Sequence, residues 1–164
     1  MKLEIERKFL VKNEDWRKLP AKTSEIRQGY FSRAADFVLR VRIIDGRGLL
    51  TLKGRPQGPL KLTRQEFEYE IPLEDTEAML TTFCGQRIIE KRRYYLDAGK
   101  GLVWEIDEYF GKCQGLVTAE IELPTIDTPF EAPDWLGRDV STNPLYGNKA
   151  LAEIGLPADY LQTT

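Results

Sequence analysis

Apolar and polar residues alternate with a period of two along most of this chain. In LEIERKF, near the start, Glu4, Glu6 and Lys8 share one face and Leu3, Ile5 and Phe9 the other, with Arg7 as the exception. Successive side chains of a β-strand point to opposite faces, so the stretch reads as a strand. The same alternation, broken at Gly, Pro or Asp, recurs in SEIRQGYF, FVLRVRIID, GLLTLKG, TRQEFEYEIP, QRIIEKRRYYLD, LVWEIDEYF and LVTAEIELP. Helical signals are fewer. They are NEDWRKL with Asn13 as N-cap, EDTEAMLTTF, and NKALAEIG with Asn148 near its start and Gly155 beyond its end. Residues 127–136 read as a Pro-rich connection with room for a helical turn. The expectation is an α+β chain, predominantly β: an eight-stranded antiparallel closed barrel with a few flanking helices.

The 164 residues suffice for one domain, taken as 1–164, with a real core. Acids (26) and bases (24) nearly balance, which argues against an indiscriminate nucleic-acid or membrane binder. The two cysteines, Cys84 and Cys113, match no redox or zinc spacing and read as inert thiols in a reducing compartment. The chain has no apolar run of membrane-spanning length and no signal-peptide core at its charged start, so a soluble, cytoplasmic protein is expected. Histidine is absent. That excludes a Ser-His-Asp triad, a Cys-His pair and any His-ligated metal. There is no GxxxxGK[ST] motif, and KGRPQGPL reads as a loop.

The charged rows change the picture. Arg40 and Arg42 share a face, as do Thr51 and Lys53, then Glu66, Glu68 and Glu70, then Glu105 and Asp107, then Glu120 and Glu122. In EKRRYY the row is either Lys91 and Arg93 or Glu90 and Arg92, and periodicity favours the first without settling it. One such row is most simply a solvated face. Nearly every strand here carries a same-sign pair at i, i+2, and such pairs repel unless opposite charge lies across from them. A barrel that turned these rows inward would be lined by facing acidic and basic patches, its apolar rows covered by helices. Arginine and lysine rows suit phosphate chains. Carboxylates without His or Cys suit hard divalent cations, Mg²⁺ or Mn²⁺. Together they describe a site for a metal-bound polyphosphate and for phosphoryl or nucleotidyl transfer.

Glu4-x-Glu6-x-Lys8, followed in order by RxR, TLKG, ExExE, KxR, ExD and ExE, resembles the signature of the CYTH superfamily, the triphosphate tunnel metalloenzymes. YGNKALA resembles the family's closing helix, and the resemblance runs along essentially the whole chain. It implies an eight-stranded barrel forming a tunnel. It implies that Glu4, Glu6, Glu120 and Glu122 hold the catalytic metal, with Asp107 near a second metal or the attacking water. Arg40, Arg42, Lys53, Lys91 and Arg93 would hold a triphosphate, and Lys8 would touch substrate or orient water. Glu66, Glu68 and Glu105 would complete the acidic lining. Lys149 would add a phosphate contact or be an ordinary helix lysine facing solvent.

The resemblance implies metal-dependent hydrolysis of tripolyphosphate to pyrophosphate and phosphate. The alternatives are a class IV adenylate cyclase, a thiamine or nucleoside triphosphatase, a binding module without turnover, and a plain barrel with a charged exterior. Trp16, Trp104, Trp135 and Tyr30 read as packing residues, and RQGYFSR offers Arg27 and Arg33 as residues that could flank an entrance. Exposed apolar outer strands would allow a homodimer.

Overall fold

A computed structural model describes residues 2–31 and 37–160, the side chain of Lys2 excepted; Arg33 lies outside the described residues. Among these residues the chain forms β1 (Lys2–Val11), β2 (Lys22–Tyr30), β3 (Val38–Ile44), β4 (Arg47–Lys53), β5 (Thr63–Ile71), β6 (Ile88–Gly99), β7 (Leu102–Tyr109), β8 (Val117–Glu122) and β9 (Leu136–Asp139). The helices are α1 (Leu73–Met79) and α2 (Asn148–Ile154). Strands β5-β4-β3-β2-β6-β7-β8-β1 are neighbours in that order, and β5 pairs again with β1, which closes an antiparallel eight-stranded barrel. The short β9 adds to the C-terminal half of β1. Its sequence, LGRD, is too short and too poor in apolar residues to carry a strand pattern.

Two smaller elements differ from expectation for local reasons. NEDWRKL forms a single 3₁₀ turn, Asp15–Lys18, with Glu14 rather than Asn13 at the N-cap, although Asn13 Oδ1 accepts from the Asp15 N–H at 2.9 Å. A helix this close to Pro20 has no room to grow. EDTEAMLTTF forms α1 one residue earlier, after Pro72, and then widens into a π-turn over Leu80–Cys84.

Closure of the barrel decides where the core sits. With charged rows inside, the apolar rows face outward and must be covered. Trp16 and Trp135 pack over Phe9, Leu96, Trp104, Ile106 and Ile121 on the outer faces of β1, β6, β7 and β8. Trp104 meets Phe9 and Trp135 edge-to-face, with centroids 5.8 and 5.5 Å apart. Arg7, the charged exception on that face of β1, pairs with Asp139 of β9 and lies against the rings of Phe9 and Phe130. Leu80 and Cys84 cover Val41. Leu3, Phe67 and Tyr69 on the outer faces of β1 and β5 stay exposed.

At one end the inward rows themselves turn apolar. Leu10, Tyr30, Ile89 and Tyr109 are buried there with Tyr146 and with Leu151 and Ala152 of α2, which plugs that end of the barrel.

Gly29 in β2 is where the π-turn comes closest. A Cβ there would lie 2.7 Å from Cys84 Sγ and 2.8 Å from Leu80 Cδ2. Gly29→Ala is therefore expected to destabilise by about 1–3 kcal/mol through overpacking. Urea denaturation checks this, and an unchanged midpoint would refute the close approach.

Candidate active site

The registers bring the charged rows of β1 and of β3 to β8 onto one inner surface. Across β1 and β8, Glu6 faces Glu122 and Lys8 faces Glu120. Glu120 faces Glu105 of β7, and Asp107 faces Arg93 of β6. Arg42 lies opposite Gln28, Arg40 opposite Thr51, and Lys53 opposite Glu66. Arg64, on β5, faces Glu4 and completes the circuit. The ambiguity in β6 is resolved by this closure. Lys91 and Arg93 are buried inside, whereas Arg92 pairs outside with Glu25 and Glu90 approaches Arg27 at 3.8 Å.

Most of the inner charges meet an opposite charge. Arg93 clamps Asp107 with Nε–Oδ1 and Nη2–Oδ2 both at 2.7 Å, reaches Glu120 Oε2 at 3.1 Å and pairs with Glu105. Lys91 Nζ is 2.5 Å from Asp107 Oδ2. Lys8 Nζ is 2.7 Å from Glu120 Oε1 and donates to the Tyr146 carbonyl at 2.9 Å. Lys53 Nζ is 2.7 and 2.8 Å from the two Glu4 oxygens and 2.8 Å from Glu66 Oε2. Arg64 adds a contact to Glu4 at 3.3 Å. Arg40 reaches Thr51 and Glu68 at 3.1 and 3.3 Å.

These pairs set the protonation states. Burial alone would raise Asp107 and Glu120. Arg93 and Lys91 hold Asp107 below its ordinary range, and Lys8 and Arg93 hold Glu120 well below. Burial pushes Lys91 down to about 7 against the pull of Asp107. Glu105 is raised, because burial outweighs Arg93.

Two groups stand apart. Among the described residues, Glu6 makes no hydrogen bond or ion pair. Burial, then repulsion from Glu120 and Glu4, raises its pKa from 4.5 to about 7, while part of its surface still faces the lumen. Arg42 donates to Gln28 Oε1 at 3.1 Å and, among the described residues, pairs with no carboxylate. Burial, then Arg40 and Arg93, pushes it down to about 10. Nε of the neighbouring Arg40 is buried without a hydrogen-bond acceptor. The inner surface thus carries an unmatched carboxylate and unmatched guanidinium donors, which a ligand holding both cation and anion would satisfy.

Among the described residues, no three acids already converge as a metal cage. Glu4, Glu120 and Asp107 are held by lysines and arginines, so they would become ligands only by exchanging those partners for a cation. Glu6 needs no such exchange. With the adjacent Glu4 and Glu120 and the facing Glu122 it would supply the all-oxygen donors that hard divalent cations prefer.

Arg64, Gln28, Thr51, Tyr109 and Asn148 also belong to this surface, and sequence reasoning did not select them. Gln28 and Thr51 are neutral, and Arg64 sits before the acidic row. On α2 it is Asn148 that reaches the barrel, accepting at Oδ1 from Tyr109 OH at 2.8 Å and from Lys91 Nζ at 3.3 Å. Lys149 is half-buried on the same helix. The three tryptophans and Tyr30 are packing residues, although the Tyr30 hydroxyl also accepts from Gln28 Nε2 at 2.7 Å. Both cysteines are buried free thiols. Among the described residues, no helix is long and apolar enough to cross a membrane.

A family model for the CYTH domain matches residues 2–152. The chain belongs to the CYTH family. Within that family it is 42% identical over 150 residues to an inorganic triphosphatase of Acetivibrio thermocellus, covering 92% of this chain and 93% of the relative. It is 35% identical over 152 residues to an inorganic triphosphatase of Nitrosomonas europaea, covering 91% and 96%. The crystal structure of the inorganic triphosphatase NE1496 superposes with a TM-score of 0.67 at 32% identity, covering 93% of this chain and 95% of that one. The closed barrel with its charged interior is thus the CYTH tunnel fold.

Proposed function

We propose that this CYTH protein is an inorganic triphosphatase that hydrolyses tripolyphosphate to pyrophosphate and phosphate with Mg²⁺ or Mn²⁺. The observation that carries the reading is the pair of unmatched charges inside one closed barrel, the Glu6 carboxylate and the Arg42 guanidinium, with the free Nε of Arg40 beside them. The names of the curated relatives supply the substrate.

Glu4, Glu6, Glu120 and Glu122 would hold the cation, with Asp107 beside a second one or the attacking water. When bound, the cation supplies charge neutralisation and water activation. Arg40, Arg42, Lys53, Lys91 and Arg93 bind the phosphate oxygens, with arginine forks giving bidentate contacts. A phosphate beside Lys91 restores the proton that burial discourages. Glu66, Glu68 and Glu105 hold the basic side chains in place before substrate arrives. Lys8, fixed by Glu120 and the Tyr146 carbonyl, orients the incoming water or a terminal phosphate oxygen. Water oxygen bonds to a terminal phosphorus, the P–O–P bond breaks, and pyrophosphate leaves. The fixed cations stabilise the charge that accumulates on the leaving oxygens.

The test is release of phosphate and pyrophosphate from tripolyphosphate, ATP and thiamine triphosphate with Mg²⁺, with Mn²⁺ and with chelator. Metal-dependent turnover that favours tripolyphosphate is expected. Intact tripolyphosphate with both metals would sink the proposal, and turnover of only an organic triphosphate would reassign the substrate.

A further inference from the structure

We infer that the turn entering α2, Tyr146 to Asn148, is the positioning element for the two lysines at the closed end of the tunnel, and that Asn148 is a positioning residue for Lys91. This rests on the triphosphatase reading and goes beyond it. It makes the plug helix part of the site rather than a lid on the barrel's end.

Two separate contacts from two different strands converge on this turn. Lys8, on β1, donates to the Tyr146 backbone carbonyl at 2.9 Å. Lys91, on β6, donates to Asn148 Oδ1 at 3.3 Å. The same Asn148 oxygen accepts from Tyr109 OH at 2.8 Å, and the Tyr109 ring lies 5.4 Å from the Lys91 ammonium. Lysine can only donate, so the Asn148 atom facing it must be the oxygen. That fixes the amide's orientation.

The chemistry of the acceptors matters. Each lysine has one carboxylate partner, Glu120 for Lys8 and Asp107 for Lys91, and one neutral acceptor on this turn. A carboxylate that turns to a cation gives up its lysine. A backbone carbonyl or an amide oxygen does not, because neither carries the charge that draws the cation. The neutral acceptors therefore keep both ammoniums in place in the loaded site. They do so without cancelling positive charge that a phosphate can use. An ammonium has three N–H groups, and two acceptors leave the third for the ligand.

The test is a double-mutant cycle with Asn148→Leu, Lys91→Met and both together. Asn148→Leu keeps the branching and the number of heavy atoms in the side chain and removes the acceptor. Two readouts are taken: kcat and KM for tripolyphosphate with Mg²⁺, and the Kd of tripolyphosphate in chelator. Asn148→Leu is expected to lower kcat/KM by about tenfold or more and to weaken binding in the same direction. In the Lys91→Met background it should change Kd less than about twofold, because the residue it positions is gone. Asn148→Gln, which retains a neutral amide acceptor, should recover part of the binding. Asn148→Ala, a good helix former, carries the cycle if the leucine variant does not fold. Equal losses in both backgrounds would mean that Asn148 acts through α2 packing and would overturn the inference. So would a loss below twofold in the wild-type background. If the wild-type protein neither binds nor cleaves tripolyphosphate, the triphosphatase reading fails first and this inference falls with it.

Discussion

Arg93→Met is expected to destabilise the protein by about 3–5 kcal/mol, the usual consequence of removing one partner from a buried ion pair. Methionine keeps the unbranched apolar stem of arginine, while the guanidinium and its charge disappear. Arg93 is the hub of the inner surface, clamping Asp107 with two hydrogen bonds and reaching Glu105 and Glu120. Without it, Asp107 keeps only Lys91 and Glu120 keeps Lys8. Denaturant unfolding at pH 7 measures the loss, with an unchanged m-value confirming that the compactness of the states is preserved.

The pH dependence has a definite sign. Arg93 depresses Asp107 and Glu120. Depressed carboxylates contribute stability above their unfolded pKa and lose it as pH falls through the folded value. The gap between wild type and variant is therefore full at neutral pH and narrows below about pH 4. A loss under about 1 kcal/mol at pH 7 would mean that Arg93 is not the hub.

Glu6→Gln moves activity and stability in opposite directions. Turnover of tripolyphosphate is expected to fall about a hundredfold or more, because the variant removes an inner carboxylate that, among the described residues, no base holds. Stability in chelator should rise. Glu6 titrates near 7 in the folded protein against 4.5 as its ordinary value, so between those values the folded state holds a proton that the unfolded chain has released. Wild-type stability therefore falls as pH rises through that window, by about 3 kcal/mol in all. Glutamine does not titrate, so the variant's advantage should be absent near pH 4.5 and complete above 7. Unfolding curves at pH 5 and pH 8 test this. An advantage of equal size at both would rule out a raised Glu6. A stabilised but inactive variant is what a site holding unfavourable charge for its ligand predicts.

The sequence by itself determined which residues share a face. Period-two alternation is local, set by the pleat of each strand, and every row read from LEIERKF to AEIELP lies on one face of its strand in the barrel. It also indicated that the rows needed one another, since same-sign neighbours at i, i+2 repel. The tryptophans read as packing residues, and α2 was legible from Asn148 near its start and Gly155 beyond its end, a local signal of a different kind.

Tertiary structure decided what depends on closure and register. Periodicity left Lys91 with Arg93 and Glu90 with Arg92 as competing rows, and the register of β6 against β2 and β7 chose between them. Lys53 finds Glu4 across 49 residues because β5 pairs with both β4 and β1, a closure that no local pattern encodes. β9 exists because Asp139 meets Arg7 and because β1 has a free edge, not because LGRD favours a strand. Asn148 looked like a helix start and became the acceptor for Lys91 only when α2 entered the barrel. The unmatched Glu6 and Arg42 were equally invisible in the sequence. A residue is left without a partner only after every other charge around the ring has found one, and that outcome belongs to the closed barrel as a whole.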